Sequence, residues 1–393
     1  MDAERLHSLE IVDCRNLQQI PSLPRMLGRL VIKGCLNLSE VPLLPLGLRG
    51  LTVHGCPKLV QLQPVVSHLE ELDLKDYGGG VETILSNMSS SSSSNIQGVG
   101  FVLRILRIAR CSIHDGCENE KELCLDKLMT SLTHLELTGL PWLTSVLHGP
   151  NLTALKDVRI ENCENLRSIG NSLVYSSSLK SLCITNCPRL TVQQQQADDH
   201  REGGVMERLE VRGCPELTWL WNLNCFTSVR ELTVKGCPKL TLIKSGGGGG
   251  RRRLTVANAI SITSLRSVTI DDLSLLTAAL PRRESLCLNS LWSLKIEEST
   301  KDEKPFTAEE EELFQHHLTS LTSLRFLSCE GLPSLPANLE NLSSLRELYI
   351  DHCPKIESLP NLPASLEQVY IIGGCHPRLK EKYGNDEKFH FWG

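Results

Sequence analysis

Aromatic residues make up only 4% of this 393-residue chain, too few for a compact enzyme built round a large aromatic-lined pocket. No sign of charge dominates either: 41 Lys and Arg stand against 46 Asp and Glu, a formal net charge of −5. That balance argues against nucleic-acid binding through a general basic field. Leu, Ile and Val run through the whole length, yet no apolar stretch approaches the roughly 18–20 residues that a membrane span needs. The opening Met1-Asp-Ala-Glu-Arg5 carries two acids and leads into no apolar segment of a secretory signal. Motifs of catalysis are missing as well. There is no Gly-x-x-x-x-Gly-Lys-Ser/Thr phosphate loop, no Gly-x-Ser-x-Gly, no His-Glu-x-x-His and no Cys-x-x-Cys. The expectation is a chain that is not an enzyme and holds no cofactor of its own.

What the sequence does hold is cysteine in phase. Of its 16 cysteines, Cys14, Cys35, Cys56, Cys111, Cys163, Cys187, Cys214, Cys237, Cys329 and Cys353 occupy one place in one pattern. The pattern is Leu-x-x-Leu-x-Ile-x-x-Cys followed by x-x-Leu, as in Leu48-Arg-Gly-Leu51-Thr-Val53-His-Gly-Cys56-Pro-Lys-Leu59. The first two spacings are 21 residues each, and later ones are 24, 27 and 23. Copies without cysteine stand at Leu72-Asp-Leu74 (with Tyr77 in the cysteine's place), Leu135-Glu-Leu137, Val268-Thr-Ile270 and Leu294-Lys-Ile296. A last one at Val369-Tyr-Ile371 has its cysteine one place late, at Cys375. About fifteen copies are counted. A recurring period of 20–29 residues with this pattern is the leucine-rich-repeat signature. Its Leu-x-Ile pair alternates at period two, so each copy supplies a short strand with its apolar side inward. No copy can bury that side alone, but stacked copies share one core.

The expected architecture is therefore an α/β leucine-rich-repeat solenoid, a curved horseshoe. It has a parallel β-sheet on the concave face and irregular or short helical convex segments. Residues 1–393 form a single domain, with low-complexity or loop insertions near 78–100, 193–204 and 245–253. Proline in the returns (Pro21, Pro42, Pro45) favours extended backbone over full helices there. A helical insertion is expected near 305–318, where Thr307-Ala-Glu-Glu310 reads as a capping box and Leu313, Phe314 and Leu318 as the apolar face. Cysteine in the turn after each strand is small, apolar and a weak donor, which suits a buried place beside backbone groups. A ladder of equivalent thiols gives no paired disulfide framework, so reduced cysteines and a cytoplasmic or nuclear location are expected. The cluster Cys111-Ser-Ile-His114-Asp-Gly-Cys117 is not a recognised zinc spacing, and no metal is assigned to it. Adjacent His316 and His317 point to different sides of a helix and read as solvated. Cys183 falls between two inward positions and is expected on the concave side.

The outward-facing positions of the strands are free to vary and form a candidate protein-binding face. In copy order these are Glu71, Asp73 and Lys75; Arg107; Glu136; Asp157, Arg159 and Glu161; Arg208, Glu210 and Arg212; Glu231 and Lys235; Glu347, Tyr349 and Asp351; and Tyr370. Mixed charge with scattered Tyr suits protein recognition, in which aromatic and Arg anchors carry affinity.

The run Leu318-Thr-Ser-Leu-Thr-Ser-Leu324 through Cys353-Pro-Lys-Ile-Glu-Ser-Leu-Pro360, with Phe306-Thr-Ala-Glu-Glu-Glu-Glu-Leu-Phe314 before it, resembles a known family. So does the closing Gly374-Cys-His-Pro-Arg-Leu-Lys-Glu-Lys-Tyr383. The family is the C-terminal leucine-rich-repeat region of plant nucleotide-binding disease-resistance receptors of the coiled-coil class. The resemblance implies intracellular pathogen sensing, with the repeats restraining the receptor and recognising a pathogen effector or a host guardee. That family carries coiled-coil and nucleotide-binding modules ahead of its repeats, so ATP or ADP enters only if such a module lies upstream. The chain starts almost directly on a repeat, which leads us to expect a fragment whose N-terminal cover is missing. Two other classes stay open: an F-box-type adaptor of a ubiquitin ligase, and a stand-alone repeat scaffold. An extracellular receptor is disfavoured, although Asn37, Asn87, Asn151 and Asn341 satisfy the glycosylation pattern.

Overall fold

A computed structural model describes residues 5–62, 68–81, 84, 102–112, 122–124, 131–147, 154–170, 178–191, 205–218, 228–240, 264–277, 288–299 and 305–392. The insertions expected near 193–204 and 245–253 lie outside these residues, as do most of the one near 78–100, His114, Cys117, Cys225 and Cys287. The chain divides into two compact units, residues 1–197 and 198–393.

In the first unit the sheet strands are β1 (Ser8–Val12), β2 (Arg29–Lys33), β3 (Gly50–Cys56), β4 (Glu71–Tyr77) and β5 (Ile105–Ala109). It continues through β7 (His134–Thr138), β9 (Asp157–Glu161) and β11 (Ser181–Thr185). Three shorter strands, β6 (Glu122–Cys124), β8 (Ser145–Leu147) and β10 (Ser168–Ile169), build a separate parallel sheet on the returns. The second unit contains β12 (Arg208–Arg212), β13 (Glu231–Lys235), β14 (Ser267–Ile270) and β15 (Ser293–Glu297). It ends in β16 (Ser323–Leu327), β17 (Glu347–Asp351), β18 (Gln368–Ile372) and β19 (Phe389–Trp392). The fold is a leucine-rich-repeat solenoid: each coil adds one strand parallel to the last, in register with the motif. Leu51, for example, pairs with Leu72, and Leu324 with Leu348.

The core follows the pattern. Leu51, Leu72, Leu74, Leu106, Ile160, Leu294 and Ile350 are sealed from solvent, while alternate strand residues face outward. The ladder cysteines are buried, except Cys14 in the first coil and the half-buried Cys375. Each points its thiol at a carbonyl two residues back (three for Cys375) and, in many coils, at the preceding coil. Cys353 lies 3.3 Å from the Asp351 oxygen and 3.8 Å from that of Phe326. Burial pushes the thiols of Cys56 and Cys111 above the ordinary cysteine value, so they stay protonated.

The turn that delivers each cysteine demands a left-handed residue. Positive φ recurs immediately before the ladder place, at Asp13, Gly34, Gly55, Asp76, Arg110, Asn162, Asn186, Gly236, Ser328 and His352 among others. A Ser just before the first motif leucine ties coils together from the other side. Ser131 donates to the Leu103 carbonyl, and Ser178 to that of Leu155, both at 2.9 Å.

The returns differ in part from expectation. Those of residues 14–62 are irregular, but β6, β8 and β10 make a second sheet. There a third apolar residue (Leu123, Val146, Ile169) turns inward and extends the backbone so that it pairs coil to coil. The helical insertion is present at Ala308–Glu312 and runs on as a π-helical turn, Leu313–His317. Its capping box is formed: the Thr307 hydroxyl accepts from Glu310 N, and the Glu310 carboxylate accepts from Thr307 N at 2.7 Å. Leu313, Phe314 and Leu318 are buried, and Phe306 packs edge-on against Phe314 and Phe326 at 6.0 and 6.5 Å. His316 is exposed and His317 half-buried.

The two ends contrast. In the first coil Leu9 and Ile11 are half-buried and Leu6 is 40% exposed. At the other end helix Pro377–Tyr383 buries Leu379, Tyr383 stacks on Phe389 at 4.9 Å, and β19 pairs with β18. No repeat motif announces β19.

Candidate protein-recognition face

The outward residues of each sheet stand in three rows, because strands in register place first, third and fifth positions side by side. In the first unit these rows are occupied by alternating charge. Glu71 lies 2.8 Å from Arg107 and 3.7 Å from Arg29, and Arg107 reaches Glu136 at 3.6 Å. Asp73 meets His54 at 2.9 Å, Asp157 meets His134 at 2.9 Å, and Arg159 meets Glu161 at 3.0 Å. Lys75 is half-buried. Most of the sequence-selected charges here thus meet an opposite charge or a histidine on their own or a neighbouring strand, and as partly exposed pairs each is worth only ~0.2–1 kcal/mol. Cys183 occupies an outward position in register with Arg159 but is 7% exposed, so the face offers no open thiol there.

The second unit begins in the same way. Arg208 pairs with Glu231 at 2.7 Å and Arg212 with Glu210 at 2.5 Å. Lys235 is buried and reaches both Glu297 at 3.4 Å and Glu298 at 3.0 Å. Burial pushes the Glu297 carboxyl up, and Lys295 and Lys235 more than reverse this, leaving it below the ordinary glutamate value.

Towards the last coils the third row changes character. The Arg325 guanidinium lies 4.3 Å over the Tyr349 ring. Tyr349 stacks on Tyr370 at 4.4 Å with planes 14° apart, and Tyr370 meets His390 at 5.3 Å. The hydroxyls are braced within their own strands, Tyr349 donating to Glu347 at 3.4 Å and Tyr370 to Gln368. Burial, then Glu347, raises the Tyr349 phenol, which stays a donor. Asp351 is held by His352 at 2.6 Å. Beside this row Trp392 is 64% exposed. Four coils therefore present a continuous cation–aromatic strip in which Arg325 has a serine hydroxyl, not a carboxylate, as its hydrogen-bond partner among the described residues.

Sequence reasoning placed Tyr349 and Tyr370 on this strip and missed Arg325, His390 and Trp392. Arg325 was legible, as the residue between Leu324 and Phe326 of a motif copy. His390 and Trp392 were not, since β19 carries no motif and only its alternation with Phe389 and Phe391 marks it. Among the described residues there is no group of three or more His, Cys, Asp or Glu able to hold a metal ion, and no helix long and apolar enough to cross a membrane.

No protein-family model matches the chain, and no curated protein matches it. Among solved structures it is similar to the functional domain of InlJ from Listeria monocytogenes, which includes a cysteine ladder. The identity is 13%, over 98% of this chain and 72% of that one, with a TM-score of 0.46. It is also similar to TLR13 in a complex with ssRNA13 (14% identity, 93% of this chain and 57% of that one, TM-score 0.44). A third likeness is to YopM from Yersinia enterocolitica (15% identity, 93% and 91%, TM-score 0.27).

Proposed function

We propose that the chain is the non-catalytic protein-recognition and autoregulatory leucine-rich-repeat region of an intracellular plant immune receptor. In this reading it acts in defence against pathogens and binds a pathogen effector or host guardee through its strand-lined face. The observation that carries recognition is the strip Arg325–Tyr349–Tyr370–His390 with Trp392 beside it. Stacked rings lose little conformational freedom on binding, and Tyr, Trp and Arg are the residues in which binding energy concentrates. The plant-receptor part rests on the resemblance of residues 306–383. A stand-alone repeat scaffold would use the same face.

The test is split-reporter binding in leaf tissue between the full chain and a panel of pathogen effectors and host targets, repeated with Tyr349→Ala/Tyr370→Ala. Recognition through the strip predicts at least one partner whose affinity falls about thirtyfold or more, the size of a ~2 kcal/mol anchor loss. Equal binding by the double variant would overturn the assignment of the face. Recovery of a ubiquitin-ligase scaffold in place of an effector or guardee would favour the adaptor reading.

A further inference from the structure

On the returns of the first unit, outside the strand-lined face, three successive coils open a groove of about 250 Å³ lined by Pro141, Trp142, Thr144, Asn165, Arg167 and Arg189. Its parts come from two columns of the repeat. Trp142, Asn165 and Arg189 stand two residues beyond the ladder place, and Thr144 and Arg167 stand four beyond it. The first column is tightly built. Trp142 Nε1 donates to the Cys111 carbonyl at 2.7 Å, which fixes the indole. Asn165 donates to the Pro141 carbonyl at 2.5 Å and accepts from Arg189 Nη1 at 2.8 Å, which fixes one guanidinium. Arg167 is exposed and has no side-chain partner among the described residues. No carboxylate lines the groove.

The other coils supply an internal control. Two cations at the equivalent places elsewhere meet a carboxylate: Lys239 pairs with Glu216 at 2.7 Å, and Arg378 with Glu357. Lys58 repeats the Arg189 arrangement on Asn37 at 2.7 Å, but Ser39 takes the place of Arg167 there and Lys58 itself the place of Arg189. Only this groove, among the described residues, combines two guanidiniums, an amide, a hydroxyl and an indole wall without a counter-charge.

We infer that the groove is a binding site for a phosphate monoester carried on a flat ring, the phosphate between Arg167 and Arg189 and the ring against Trp142. Guanidiniums bind phosphate oxygens in charge-assisted, often bidentate pairs, and an immobilised indole offers a stacking surface at little entropic cost. A phosphotyrosine side chain and a mononucleotide share this chemistry.

The test is calorimetric titration of the full chain with phenyl phosphate, inorganic phosphate and phenol, and then with phosphotyrosine amide and adenosine monophosphate. Phenyl phosphate is expected to bind at least about tenfold more tightly than inorganic phosphate, with phenol undetected. Arg167→Gln/Arg189→Gln, at exposed positions that leave the core intact, should weaken phenyl phosphate by about tenfold or more, and Trp142→Leu should remove its advantage over inorganic phosphate. The last two ligands say which source is bound. Absence of phenyl phosphate binding, or equal binding by the double-arginine variant, would overturn the assignment. So would equal affinity for phenyl phosphate and inorganic phosphate in the unaltered chain.

Discussion

The left-handed turn before each ladder position gives a prediction whose size can be worked from two glycines. Gly55 and Gly236 both have φ of +63°. An alanine at either pays about 1–2 kcal/mol for the left-handed backbone, less the ~0.4–1 kcal/mol returned by a stiffer unfolded chain. At Gly55 the added Cβ meets Gly34 backbone atoms at 3.7 Å, ordinary contact. At Gly236 it meets Gly213 N at 3.2 Å and Gly213 Cα at 3.3 Å. Gly213 cannot retreat freely, because its N–H is bonded to the Lys235 carbonyl at 2.8 Å. Crowding of that kind adds about 1–2 kcal/mol. Gly55→Ala should therefore cost about 1 kcal/mol and Gly236→Ala about 2–3 kcal/mol. Because coils open semi-independently in such stacks, the measurement is amide hydrogen exchange across the affected turn and its neighbours, alongside urea unfolding. The reasoning is refuted if the two variants agree within about 0.5 kcal/mol, or if Gly236→Ala is neutral.

Three further outcomes are expected. Thr307→Ala removes one half of the capping box and should cost about 1 kcal/mol, seen as faster exchange confined to residues 308–317. The hydrogen bond from Arg110 holds the Asp76 carboxyl below its ordinary value. The pair's contribution is then full above the unfolded value of ~3.9 and is lost as pH falls through the lower folded value, so Asp76→Asn should flatten the acid limb of a melting-temperature profile. In alkylation followed by peptide mass spectrometry, exposed Cys14 should react first among the described cysteines. Cys111, raised by burial, and Cys237, raised by its hydrogen bond with Cys214 and by burial, should react only as the coils open.

Much of the architecture was legible because a repeat states its core many times. Leu51 and Val53, or Leu348 and Ile350, lie inward for the reason the alternation gives, and the cysteine three residues past the second of them closes the coil. The thiol's partners were legible in kind, as backbone carbonyls, from its size and weak donor character. Three things were not. The left-handed residue before the ladder place is spelled Gly, Asp, Asn, Arg, Glu, Ser or His, so its geometry is uniform while its chemistry is not. The short sheet of β6, β8 and β10 rests on one inward apolar residue per return (Leu123, Val146, Ile169), a signal too brief to mark a strand by its alternation. Strand β19 depends on pairing with β18 and on Tyr383 covering Phe389, contacts that no periodicity encodes.

The candidate face shows how a repeat separates folding from recognition. Inward positions must be apolar in every coil, so selection for binding can act only on outward ones. Those outward charges then meet their neighbours at strand spacing, and opposite signs neutralise each other. Glu71 between Arg29 and Arg107 is such a case, and a partner would have to break that network to use it. Discrimination is left to cations that meet no carboxylate among the described residues: Arg325, beside a serine hydroxyl and the stacked tyrosines on the sheet, and Arg167 beside Trp142 on the returns. Neutralising Arg325 should therefore weaken a partner more than neutralising Arg107, although both are outward-facing arginines of the same row type. Comparing Arg325→Gln with Arg107→Gln against one partner tests this directly, with a loss of about tenfold or more expected for the first and little change for the second. Equal losses would mean that neighbouring charge, and not its absence, governs what the face binds.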